Sequence, residues 1–219
     1  MKLAKFCLAA WSAVLFVFGG KAAGALPEGY TAEAWIESSG NQWVNTGIVP
    51  NATDRVEMEF LFPGGKATAV DWHCLFCARD TGNKNTFTTF WGGMQNSGKF
   101  RVDRNATTGG ASGPVIADNV RYVLSLDYGT RVASLTADGA ATTAPAFPND
   151  TGTFTAGSAL ALFASHSAGS GLNATSAMSN LAQMRLYSFR LLDANGTARA
   201  ELVPCRNASG VAGLYDTAR

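Results

Sequence analysis

Between Asp54 and Phe62 the chain alternates with a period of two. Val56, Met58, Phe60 and Phe62 fall on one side, Arg55, Glu57, Glu59 and Leu61 on the other. Successive side chains of an extended strand point to opposite faces, so this stretch predicts a half-buried strand of an antiparallel sheet. Val120 to Leu126 repeats the pattern, with Val120, Tyr122, Leu124 and Leu126 on one side. Tyr128, Gly129 and Thr130 then turn the chain into a strand from Arg131 to Thr136, and Asp138-Gly139 marks a further turn.

Further strands are expected at Ala34 to Glu37, Gln42 to Thr46, Trp72 to Arg79, Thr86 to Trp91, Lys99 to Asp103, Ala159 to Ser165, Leu181 to Leu192 and Ala198 to Cys205. No window carries a capped helical period, so almost no helix is expected. About a dozen short strands at this spacing predict an all-β fold, two sheets closed over one core. The Gly-, Ser- and Thr-rich stretches Gly64 to Asp71, Asn105 to Gly113 and Ser167 to Asn180 read as loops, where a sandwich usually carries its binding surface.

Residues 1 to 25 have the parts of a secretory signal peptide: Lys2 and Lys5, an apolar stretch from Phe6 to Phe18, and Ala23-Gly24-Ala25 before Leu26. That stretch is too short to span a bilayer, which takes roughly 20 apolar residues. The expectation is a secreted or cell-surface protein with no membrane span in the mature chain and one domain over 26 to 219. The leader removes Lys2, Lys5 and Lys21 from 17 basic residues set against 16 acidic ones, leaving a slight acidic excess. Without a basic cluster there is no electrostatic footprint for nucleic acid.

Both ends of this domain carry a family resemblance. The run Arg185 to Gly196 holds an Asn195-Gly196 hairpin turn, and Ala200 to Arg206 and Gly213 to Asp216 follow it. At the other end stand Leu26 to Tyr30, Ala34 to Gly47 and Pro50-Asn51. Together these segments resemble a bacterial family of secreted jelly-roll domains related to laminin G and concanavalin A-like lectins. The resemblance implies a two-sheet antiparallel jelly-roll sandwich serving as a carbohydrate-binding or adhesive module at the cell surface, with no catalytic residues. The family usually continues beyond Asp216 into another strand, so the domain is expected to close early or to be truncated.

Sugar recognition needs an aromatic face for a pyranose and nearby amides for its hydroxyls. Trp72 and Trp91 adjoin loops, with Asn83, Asn85, Gln95 and Asn96 close in sequence, and these six are the candidate ligand-binding residues. Trp35 and Trp43, inside the first hairpin, read as core. The expected partners are polysaccharides or glycoprotein glycans, with a protein-binding adhesion module as the alternative. The laminin G likeness also raises Ca²⁺ at a loop rim, where Asp71, Asp80, Asp103, Asp118 and Asp150 lie in or near loops. No other cofactor is implied.

Glycoside hydrolysis would require two carboxyl groups roughly 5 to 9 Å apart. Glu57 and Glu59 form the one close Glu pair, but on the solvated side of their strand, so a non-catalytic module is expected, with a glycoside hydrolase as the third alternative. His73 and His166 lack partners for a triad. Cys74 and Cys77, three apart in a strand, should point to opposite faces and not bond to each other. Cys205 could meet either of them, although buried free thiols are favoured.

Overall fold

The structure, a computed structural model, describes residues 25–67, 72–92, 98–166 and 178–219. Fourteen strands and no helix form among these residues, in two antiparallel sheets. The larger sheet runs β1 (Thr31–Ala32), β13 (Ala198–Arg206), β12 (Gln183–Leu192), β4 (Arg55–Leu61), β8 (Arg121–Asp127), β9 (Val132–Ala137), β10 (Ala140–Thr142). β2 (Ile36–Ser39) pairs with β12, and β14 (Ala212–Asp216) with β13. The smaller sheet runs β3 (Val44–Asn45), β11 (Ala161–Leu162), β5 (His73–Ala78), β6 (Thr86–Gly92), β7 (Lys99–Asn105). Neighbours distant in sequence, such as β4 beside both β8 and β12, close the expected two-sheet jelly-roll sandwich.

The alternation of β4 and β8 faces as the sequence requires. Val56, Met58 and Phe60 with Tyr122, Leu124 and Leu126 are buried, and meet Phe76, Phe87, Trp91, Phe100 and Val102 of the opposite sheet. Phe60 packs edge-on against Phe100 at 6.4 Å, and Phe87 stacks on Tyr128 at 3.8 Å. Contacts of this kind between facing layers are the main source of stability, at about 1.5–3 kcal/mol for each large apolar side chain buried.

The smaller sheet is buried on both sides along β5 and β6. Residues 106–113 fold back along its β7 edge: Ser112 pairs with Phe100, Thr107 with Arg104, and the Gly109 N–H donates to Asp103 Oδ1 at 3.1 Å. A Cβ at Gly109 would fall 2.1 Å from the Val102 carbonyl oxygen, so only glycine permits this approach. The strands β4 and β8 of the larger sheet alternate buried and partly exposed residues, which leaves their outer face open.

One expectation about the cysteines fails. Cys74 lies opposite Phe90 and Phe76 opposite Thr89, so Leu75 is the extra residue of a β-bulge. The bulge turns both Leu75 and Phe76 into the core and brings Cys74 and Cys77 to the same outer face, beside Phe90 and Trp72. All three described cysteines are buried free thiols. Burial pushes the Cys74 thiol up. Burial acts on Cys77 too, but hydrogen bonding with Cys74 and Thr88 and the charge of Arg79 bring it down to about 7.

Candidate functional site

Three strands of the open face put small side chains in register. Glu57 lies opposite Ser125, and Ser125 opposite Ser134; one row on, Glu59 lies opposite Val123, and Val123 opposite Thr136. Beyond them Ala141 of β10 faces Thr136. Hydroxyl and methyl groups thus occupy a region that long side chains bound on the β4 side. The result is a trough of about 670 Å³, lined by Glu57, Glu59, Arg121, Val123, Ser125, Ser134, Thr136, Asp138 and Gly139 among others. Volumes of roughly 300–1,000 Å³ are typical of small-ligand sites.

The β4 wall is built from ion pairs. Arg121 Nε lies 2.6 Å from Glu59, and its guanidinium sits 4.0 Å over the Tyr187 ring. Tyr187 reaches the outer face because it is the extra residue of a second bulge, between Leu186 opposite Phe60 and Ser188 opposite Glu59. Glu57 is held by Arg190 at 2.8 Å and Arg55 at 3.3 Å. Exposed pairs of this type contribute only about 0–1 kcal/mol each to stability, so their main effect is to fix the direction of the wall's donors and acceptors. At the far end the Arg121 N–H donates to Asp138 Oδ1 at 2.9 Å.

The structure disperses the residues expected to bind sugar. Trp91 is fully buried, stacked on His73 at 4.8 Å and against Phe62 at 4.5 Å, because β6 turns Phe87 and Trp91 inward and Phe90 outward. Its indole face is therefore closed to a ligand. Trp72 is half-buried, edge-on to Phe90 at 5.8 Å, with the Arg101 guanidinium 4.6 Å over its ring. Asn83 and Asn85 have left-handed backbones, φ 59° and 47°, in the turn before β6. Asn85 donates to the Asp80 carboxylate. These asparagines lie at the other end of β6 from Trp91, roughly 20 Å away at the usual rise of a strand. Gln95 and Asn96 lie outside the described residues. Trp35, expected in the core, is 38% exposed, with Arg185 4.2 Å over its ring.

The aspartates considered for Ca²⁺ are engaged by donors. Asp118 accepts from the Gly65 and Ala67 N–H groups at 2.9 and 2.6 Å. Asp150 accepts from Gly152, Thr107 and Arg104, and Asp103 from Arg101 and Gly109. Burial raises the Asp103 carboxyl against the pull of Arg101. Asp71 lies outside the described residues, and among those residues no three acidic, His or Cys side chains gather to hold a metal. Glu57 and Glu59 share the trough as a pair. A glycosidase needs one carboxyl to give a proton to the leaving oxygen, whereas here both accept from guanidinium groups.

The trough escaped the sequence reading because Ser125, Ser134 and Thr136 are ordinary solvent-face residues until the hairpin register aligns them. The available signal was their small size on a face where strands usually carry longer polar groups.

No protein-family model and no curated protein matches the chain. Among solved structures it is similar to NanB plus Optactamide, with a TM-score of 0.49 and 14% identity over 74% of this chain and 25% of that one. It is also similar to mouse laminin alpha1 chain domains LG4-5 (0.43, 12%, 90% and 48%) and to the carbohydrate binding module CBM66 from Bacillus subtilis (0.32, 15%, 61% and 91%). The chain spans about a quarter of the NanB chain. At these identities the likeness concerns the fold alone, and the antiparallel β-sandwich rests on the strand pairings themselves.

Proposed function

We propose that this chain is an exported, non-catalytic glycan-binding module whose ligand lies in the trough across β4, β8 and β9. The carrying observation is the trough itself: hydroxyls of Ser125, Ser134 and Thr136 and the Val123 methyls beside guanidinium–carboxylate pairs of fixed orientation. Vicinal sugar hydroxyls both donate and accept, and they match such a lining. A shallow open groove buries little area, so each site binds weakly and useful affinity comes from several copies acting together. The leader-type residues 1 to 25 support export to the cell exterior or surface.

A glycan array probed with the exported protein, with and without chelator, tests the reading, and the intact mass of that protein tests leader removal. Ser134→Trp fills the trough from an exposed position without touching the core. Glycan binding is expected to fall at least tenfold in the variant. Unchanged binding would place the ligand elsewhere, and an array without any hit would refute the glycan reading.

A further inference from the structure

Among the described residues every arginine except Arg131 is ion-paired or, as with Arg79, hydrogen-bonded to a carbonyl. Arg131 is exposed and makes no such contact. It also stands in an unusual place. It is the last residue of the four-residue turn between β8 and β9, with φ 59°. That left-handed conformation suits glycine or asparagine, and a long side chain adopts it only at a cost. Strain kept at one residue whose charge is unused points to a role for that charge.

Beside Arg131 is an open surface depression of about 360 Å³ lined by Thr130, Pro145, Phe147, Pro148 and Asn149 among others. The Phe147 ring is held edge-on against Tyr128 at 5.0 Å, which fixes its orientation. Nearby acids are already committed: Asp150 to Arg104 at 3.3 Å, and Asp127 to the Thr130 N–H at 2.9 Å. The corner therefore combines a free planar cation, a small apolar patch that includes Phe147, and the amide and hydroxyl of Asn149 and Thr130.

We propose that this corner is a second binding site that takes the carboxylate of an acidic sugar such as a uronate. The Arg131 guanidinium grips the carboxylate through two parallel hydrogen bonds, the geometry in which arginine surpasses lysine. The apolar face of the sugar ring rests on Phe147, while Thr130 and Asn149 meet its hydroxyls. The inference rests on the glycan reading only in taking a sugar as the carrier of the charge.

The test is titration of the full-length exported protein with an oligogalacturonate and with its methyl ester, which has the same chain but no charge. The acid form should bind at least tenfold more tightly than the ester. Arg131→Gln should erase that preference and Arg131→Lys keep part of it, while Ser134→Trp leaves it in place. Equal binding of acid and ester, a preference that survives Arg131→Gln, or competition by acetate as effective as by galacturonate would each overturn the proposal. A failure here with trough binding intact leaves the first site standing, and the reverse result separates the two equally well.

Discussion

His73 shows how one residue makes this fold sensitive to acid. It is fully buried between Trp91 and Phe62, and its Nδ1 accepts the Gln183 N–H at 3.2 Å. Burial lowers its pKa to about 4, against weaker upward pulls from the Lys66 backbone and the Asp118 charge. The folded protein therefore keeps the ring neutral, while the unfolded chain takes up a proton below its ordinary value of about 6.5. This contribution is complete above pH 6.5 and is lost as pH falls toward 4, up to about 3 kcal/mol in all. Replacing His73 by Phe is expected to flatten unfolding free energy against pH in that window relative to wild type. Parallel curves from urea denaturation would show that the imidazole is not responsible.

At the scale of the element, what the sequence reveals depends on whether a strand has one buried face or two. β4 and β8 were legible because a charged side alternates with an apolar one. Thr86 to Gly92 is buried on both faces, so its alternation is invisible and the direction of Trp91 could not be read. The Leu75 and Tyr187 bulges were equally hidden, since a bulge is defined only against its partner strand. The same limit hid the trough, whose hydroxyls meet only once β8 and β9 are in register. The stretch Asn105 to Gly113, expected to be a loop of the kind that carries a binding surface, instead pairs along the β7 edge and approaches it most closely at Gly109. Gly109→Ala would drive a methyl group into the Val102 carbonyl and should destabilise the protein by about 1–3 kcal/mol, as overpacking does. Calorimetry would check it, and an unchanged melting temperature would mean that the loop does not rest on β7.

The whole molecule is tied together at one end by a single buried cation. The Arg104 side chain is 4% exposed, and it donates to the carbonyls of Tyr128 at 3.0 Å and Gly152 at 2.7 Å as well as to Asp150. β7 of the smaller sheet is thereby joined to the turn after β8 in the larger one and to the chain returning toward β11. Burial alone would raise the Asp150 carboxyl, yet the Gly152 N–H, Thr107, Asn105 and the Arg104 charge together hold it below the usual range. Because removing one partner of a buried pair strands the other, Arg104→Met should cost about 3–5 kcal/mol. Part of that cost falls on Asp150, which loses its cation while keeping the Gly152 N–H, Thr107 and Asn105 as donors. Adding Asp150→Asn to Arg104→Met should therefore recover a measurable part of the loss in denaturant unfolding, although Asp150→Asn alone destabilises the wild type. Additive losses in the double variant would mean that the carbonyl contacts, and not the ion pair, hold this end of the sandwich closed.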